Sequence, residues 1–393
     1  MATKKKLLQA AAGQAGGEAL NIEDVFSTYL YEGTSASHII DNGIDLDGEG
    51  GLVWIKQRDG VSNHILHDTE RGVSKHLRSH SSGAEVTSTD KLTSFNSNGF
   101  TLGTDGSWYV NYTGYDYASW TFRKAPKFFD VVTYTGDGVT GREIAHNLGS
   151  DVGLLIIKCT SASNFWFTHH ISRPSGALFL DSTDAETTGS TKYYMGNDVS
   201  VIQPTSTHFT VGGTTAGTMV NGLGETYVAY LFAHDTASDS LIKCGSYTGN
   251  DSTDGPEIDL GFEPQWVMVK AASRTGRWWQ WDIMRGIATG GSDPYIRLNT
   301  SDAEAGTANY LDLQANGFKI KTTLSEINSN NETYIYMAIR AASDLDITWP
   351  SSIEWPGGTA PSSPAVGETD LLTFTTDDGG TSYIGLKSAD NLS

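Results

Sequence analysis

Three lysines and three arginines stand at matched places in this 393-residue chain. Lys56, Lys158 and Lys270 each close a short apolar run, and Arg71, Arg173 and Arg285 follow them by fifteen residues. A guanidinium is a planar fork of donors suited to gripping a carboxylate, so one reading makes each arginine a ligand clamp. The other makes it an internal ion pair that pins a long loop, with Glu85, Glu186 and Glu304, each preceded by alanine, as the matched partners. The flanking residues favour the ion pair. Asp68 and Asp282 precede the first and third arginines by three residues, whereas His170 takes that place in the second. A binding site used three times would repeat its polar neighbours.

The aromatic runs that follow each lysine differ. They read Asn63-His64-Ile65-Leu66-His67, Asn164-Phe165-Trp166-Phe167 and Arg277-Trp278-Trp279-Gln280-Trp281. On a strand, Trp279 and Trp281 share one face and Trp278 takes the other. Trp278, Trp279, Trp281 and Trp166 are therefore the candidate ligand-binding residues, as stacking platforms for a glycan or as interface anchors. Core packing is the competing assignment. The acidic turns Asp45–Glu49 and Asn250–Asp254 offer oxygen ligands for Ca²⁺ but lack EF-hand spacing, and no other cofactor or metal is expected. His169 and His170 are adjacent, so on a strand they face opposite ways. No Ser-His-Asp context, phosphate loop or singled-out carboxylate pair is visible. No catalytic residue is assigned, and the chain is not expected to be an enzyme.

The elements that must position these residues also repeat. Phe100, Phe209 and Phe318 recur at a constant interval of 109 residues, and the aromatic strands Tyr117–Phe122, Tyr227–Phe232 and Tyr334–Ile339 follow them. Anchors recurring in order at one domain's length indicate tandem modules rather than one large enzyme core. The chain is rich in turn formers, with 44 Gly, and in strand-favouring aromatics, with 17 Tyr and 10 Trp. The expected fold is all-β: three tandem antiparallel β-sandwich modules, lectin-like, of about seven or eight strands each. A flexible N-terminal arm covers residues 1–23, the modules cover 24–127, 128–239 and 240–343, and a C-terminal extension covers 344–393. In that extension, Asp377-Asp378-Gly379-Gly380 between two apolar runs signals a β-hairpin. Cys159 and Cys244 fall at non-equivalent places and are read as free buried thiols, with a disulfide between them as the alternative.

The formal net charge is −20. Such a chain repels phosphates and anionic lipid, so neither nucleic acid nor membrane is an expected partner. No stretch reaches the ~20 apolar residues of a membrane helix, and the Lys-rich start is too short and polar for a signal peptide.

Three stretches carry a family resemblance: Asp24–Tyr31, Gly43–Leu46 with Gly50–Lys56, and Ser119–Val132. They resemble the repeat-bearing tail-fibre and structural proteins of tailed phages, especially marine and cyanobacterial ones. Trp355-Pro356-Gly357-Gly358 with the Asp-Asp-Gly-Gly turn is similar to the closing hairpin of such chains. The resemblance implies a virion component located in the tail and synthesised in the host cytoplasm. It implies attachment to other virion proteins through residues 1–20, assembly into a homotrimer, and contact with a host-surface glycan or protein. It supplies no functional residues. A capsid-decorating appendage and a glycan depolymerase are the alternatives.

Overall fold

The computed structural model describes residues 20–213, 219–287, 290–306, 308–342, 353–354, 371–375 and 383–389, and its elements are almost all antiparallel strands. Leu20–Ala341 forms one compact unit. Within it, three principal sheets share one strand order. The first runs Phe26–Glu32, Asp116–Arg123, Gly51–Gln57, His64–Asp68. The second runs Phe129–Thr135, Thr226–His234, Asp151–Cys159, Phe167–His170. The third runs Ile242–Thr248, Thr333–Arg340, Pro264–Ala271, Trp278–Asp282. The second and third continue into short added strands. In each sheet the aromatic strand late in the segment inserts between two earlier ones, so long-range pairing defines the sheet. Lys56, Lys158 and Lys270 pair with Ala118, Val228 and Ile335 of those inserted strands.

A smaller sheet accompanies each principal one. His38–Asp41 pairs with Gly99–Leu102, Arg142–Ala145 with His208–Val211, and Glu257–Asp259 with Gly317–Ile320. The phenylalanines of the 109-residue interval lie here: Phe100, Phe209 and Phe318 oppose Ile40, Ile144 and Ile258. In the first segment, Ile40, Phe100 and Leu102 of the small sheet share one core with Tyr31, Val53, Ile55 and Tyr117 of the large one. In the third, Ile258, Phe318 and Ile320 meet Val267, Val269, Trp281 and Tyr334. Two antiparallel layers over a common core is the β-sandwich arrangement.

One lock recurs three times. Tyr31, Tyr134 and Tyr247 donate their hydroxyls to the carbonyls of Val110, Val220 and Ile327 at 2.7, 2.6 and 2.7 Å. Their rings stack on Tyr117, Tyr227 and Tyr334 at 5.3, 5.0 and 5.1 Å. The hydroxyls of those second tyrosines accept the N–H of Tyr112, Gly222 and Ser329. Gly33, Gly136 and Gly249 end the opening strands where a Cβ would collide with the backbone of Tyr112, Gly222 and Ser329, so the close approach requires glycine.

The central strands of the principal sheets are buried on both faces; every residue of Gly51–Gln57 is buried. Their second faces meet one another. The ring of Phe122 lies 5.3 Å from Phe232 and 6.3 Å from Trp266, so one side chain touches all three segments. The expected C-terminal pairing is also present: Leu371–Thr375 pairs antiparallel with Tyr383–Ala389, and Ile353–Glu354 adds in parallel. The turn at 377–380 and most of the N-terminal arm lie outside the described residues. No helix among the described residues is long and apolar enough to cross a membrane.

Phe122→Ala should lower unfolding stability by about 3–5 kcal/mol, the usual cost of emptying a buried phenylalanine site. Urea unfolding of the variant should remain one cooperative transition. Three separated transitions, or an unchanged midpoint, would contradict a core shared between the segments.

Candidate functional site

The repeated arginines are ion-paired in all three segments. Arg71 Nη1 lies 3.0 Å from Glu85, Arg173 Nε 2.7 Å from Glu186, and Arg285 Nη1 3.4 Å from Glu304. These are the glutamates of the Ala-Glu that recurs after each arginine. Arg71 and Arg285 also reach back to Asp68 and Asp282 at 2.6 and 2.7 Å. Burial opposes the Arg71 charge, but Asp68, Tyr230 and Glu85 outweigh it and hold the guanidinium above its ordinary pKa. The arginines pin loops and do not present a free fork to a ligand.

Each glutamate loop also closes on the next segment through its backbone. The amides of Glu85, Glu186 and Glu304 donate to the carbonyls of Thr160, Ala272 and Arg58 at 2.9, 2.8 and 2.7 Å. Those carbonyls sit two residues after Lys158, Lys270 and Lys56. The first segment therefore grips the second, the second the third, and the third the first. Lys158 and Lys270 reinforce this with bonds from Nζ to Ser82 O at 3.1 Å and Asp184 O at 2.9 Å. Lys56 instead bonds the nearby carbonyl of Gln57 at 2.7 Å. Burial lowers all three lysines to about 8. Such amines would be nucleophilic if reachable, but all three are wholly buried.

The missing aspartate of the second segment has a structural counterpart. Asp68 accepts the Tyr230 hydroxyl of the next segment at 2.8 Å, and Asp282 accepts the Trp120 indole N–H at 2.9 Å. Their equivalent in the third inserted strand is Met337, which carries no donor. His170, standing where the acid would be, turns its Nε2 to the Tyr336 carbonyl at 3.0 Å. The acceptor is absent where its donor is absent.

All four candidate tryptophans are buried, which corrects the expectation of an exposed stacking platform among them. Trp166 donates to Ser81 O at 2.9 Å and Trp278 to Phe179 O at 3.0 Å, each in the preceding segment. His64, at the same offset in the first segment, faces Arg297 O at 3.1 Å. These residues anchor interfaces within one chain. Trp279 and Trp281 do share a strand face and stack at 5.8 Å in the third core. In the acidic turns, Asp45 accepts the Gly48 amide at 2.8 Å and Asp254 pairs with Lys319 at 2.6 Å. Cys159 and Cys244 are buried free thiols.

Between the first and second segments lies a cleft of about 490 Å³ lined by Arg71, Lys75, Glu85, Tyr134, Thr133, Thr135, Thr160 and Thr226. Lys75 and Arg71 both approach Glu85 at 3.0 Å, so the cations are already balanced. Glu85 is the sole carboxylate of the lining; the acid–base pair that glycoside cleavage needs is not assembled there.

One exposed aromatic site was missed in the sequence. Trp108 lies in the loop between Leu102 and Asp116, 53% exposed and with φ 66°. Its signal was the run Trp108-Tyr109-Val110-Asn111-Tyr112-Thr113-Gly114-Tyr115, which has no aromatic counterpart in the other repeats.

The chain belongs to the family of the domain of unknown function DUF7483, whose model matches residues 22–342. That span coincides with the compact unit and treats the three repeats as one domain. A search of curated proteins finds no match.

The buried histidines set a pH dependence. Burial pushes His76 and His169 down to about 3, and His80 and His170 to about 4; His67 is also well below its ordinary value. These imidazoles stay neutral in the folded chain while the unfolded chain protonates below about 6.5, so stability falls as pH drops from about 6.5 towards 4. Each contributes up to about 1.4 kcal/mol per pH unit across that window. Urea midpoints should drop clearly between pH 7.5 and 5; equal midpoints would contradict the buried neutral state.

Proposed function

We propose that this chain is a non-enzymatic structural virion protein of a tailed phage, a tail fibre or tail-associated component that contributes to attachment at a host-surface glycan. In this reading it is built of three tandem lectin-like β-sandwich modules closed on one another. The observation that carries it is the use made of the repeated charged residues. The arginines hold the glutamate loops of their own segments, the backbone amides of those glutamates bond the next segment, and Lys158 and Lys270 bond carbonyls of the preceding one. A part whose polar groups serve cohesion is suited to bearing load and presenting surface.

Composition supports the same reading. A net charge of −20 disfavours nucleic acid and anionic membranes but leaves neutral glycans open. The closed contacts also bear on assembly. All three interfaces are completed within one chain, so a homotrimer would add copies of a finished unit rather than complete an unfinished one. Weak contacts multiplied over copies would give avidity without a deep pocket.

Reconstruction of purified particles containing this chain tests the proposal. Density for the chain on the tail is the expected result. Density distributed over the capsid lattice would overturn it in favour of a decorating coat. Release of reducing ends from host polysaccharide by the isolated protein would overturn the non-enzymatic reading.

A further inference from the structure

Every described tryptophan except Trp108 is at most 5% exposed, while Trp108 is 53% exposed. Its φ of 66° places a bulky residue in the left-handed region, a strained conformation that persists only where surroundings enforce it. The enforcement is visible. The buried carboxylate of Asp105 accepts the amides of Val110 and Asn111 at 2.6 and 3.2 Å and takes the Lys91 ammonium at 2.9 Å. This clamp fixes the turn that carries Trp108 outward. Tyr112 lies 5.3 Å from the indole, and Tyr115 lies 6.0 Å from Tyr112.

The loop's framework repeats but its rings do not. Asn111 has counterparts in Asn221 and Asn328, and all three tie the loop to the opening hairpin. Counted from those asparagines, Tyr112 and Tyr115 correspond to Gly222 and Glu225 in the second segment. In the third, Trp108, Tyr112 and Tyr115 correspond to Ser325, Ser329 and Glu332. The same scaffold forms without aromatic residues, so closing the loop does not account for Trp108 and Tyr112, while Tyr115 also packs against the first core.

We propose that Trp108, Tyr112 and Tyr115 form a stacking platform for a neutral saccharide. The inference rests on the glycan-attachment reading and names its site. Aromatic faces pack on the C–H face of a sugar ring, and the tyrosine hydroxyls supply polar contacts at the edge. Charge selects the neutral class. The chain is strongly acidic, and the adjacent cations are engaged: Lys91 with Asp105 and over the Tyr109 ring at 5.0 Å, Arg78 over the same ring at 5.5 Å. Nothing in the platform neutralises a sulfate or uronate.

The test applies the full chain to a panel of neutral hexose, pentose and N-acetylhexosamine oligosaccharides. Trp108→Ala and Tyr112→Ala are compared with wild type, and Leu223→Ala, an exposed residue of the second segment, serves as control. Circular dichroism confirms folding of each. The platform predicts binding by wild type and the control, about tenfold weakening in both aromatic variants, and reduced acrylamide quenching of wild-type fluorescence on binding. Undiminished binding by both variants would overturn the platform and leave attachment standing. Absence of binding by wild type to any panel sugar would overturn both the platform and attachment through neutral glycans. Self-association that disappears in Trp108→Ala would assign the surface to a second copy and overturn the saccharide.

Discussion

Three backbone hydrogen bonds set the architecture: the amides of Glu85, Glu186 and Glu304, each on the carbonyl two residues beyond the next segment's lysine. Everything else at the interfaces follows from holding those loops in place. The arginine fixes its glutamate from one side, the lysine amine bonds neighbouring carbonyls from the other, and Trp166, Trp278 or His64 seals the junction. Buried charges are costly to desolvate and tolerated when fully bonded. Here they direct each loop to one acceptor. Phe122, reaching rings from both other segments, gives the same closure an apolar centre.

The variation between copies obeys this logic. Asp68 and Asp282 persist opposite hydroxyl or indole donors, and histidine replaces the acid opposite methionine. A buried carboxylate with no donor would bear an uncompensated desolvation cost. An imidazole with one N–H can instead use a backbone carbonyl. The departure that, in the sequence, argued against a repeated ligand site is a matched change across an interface.

Much of this was legible in the residues. Strand-favouring aromatics and turn formers indicate an all-β chain, the lysine, arginine and phenylalanine intervals indicate threefold repetition, and the Ala-Glu that recurs after each arginine marks the partners of Arg71, Arg173 and Arg285. Cyclic closure was not legible, because contacts such as Glu304 with Arg58 join positions far apart that no local pattern links. Nor was the burial of the tryptophans. Strand alternation shows that Trp278 and Trp279 point to opposite faces, but not that both faces of the sheet are covered. Trp108 escaped notice for the converse reason: attention to what repeats passes over a residue present in one copy only.

The closed cycle of contacts makes Leu20–Ala341 one cooperative body rather than three beads on a string. Native-state hydrogen exchange measures this directly, since amides of the most protected strands report the free energy of the opening that exposes them. The inserted strands Asp116–Arg123, Thr226–His234 and Thr333–Arg340 should exchange through one global opening, with free energies agreeing within about 1 kcal/mol. Separate values for the three strands, spread by several kcal/mol, would show that each segment opens alone and would contradict the closed cycle.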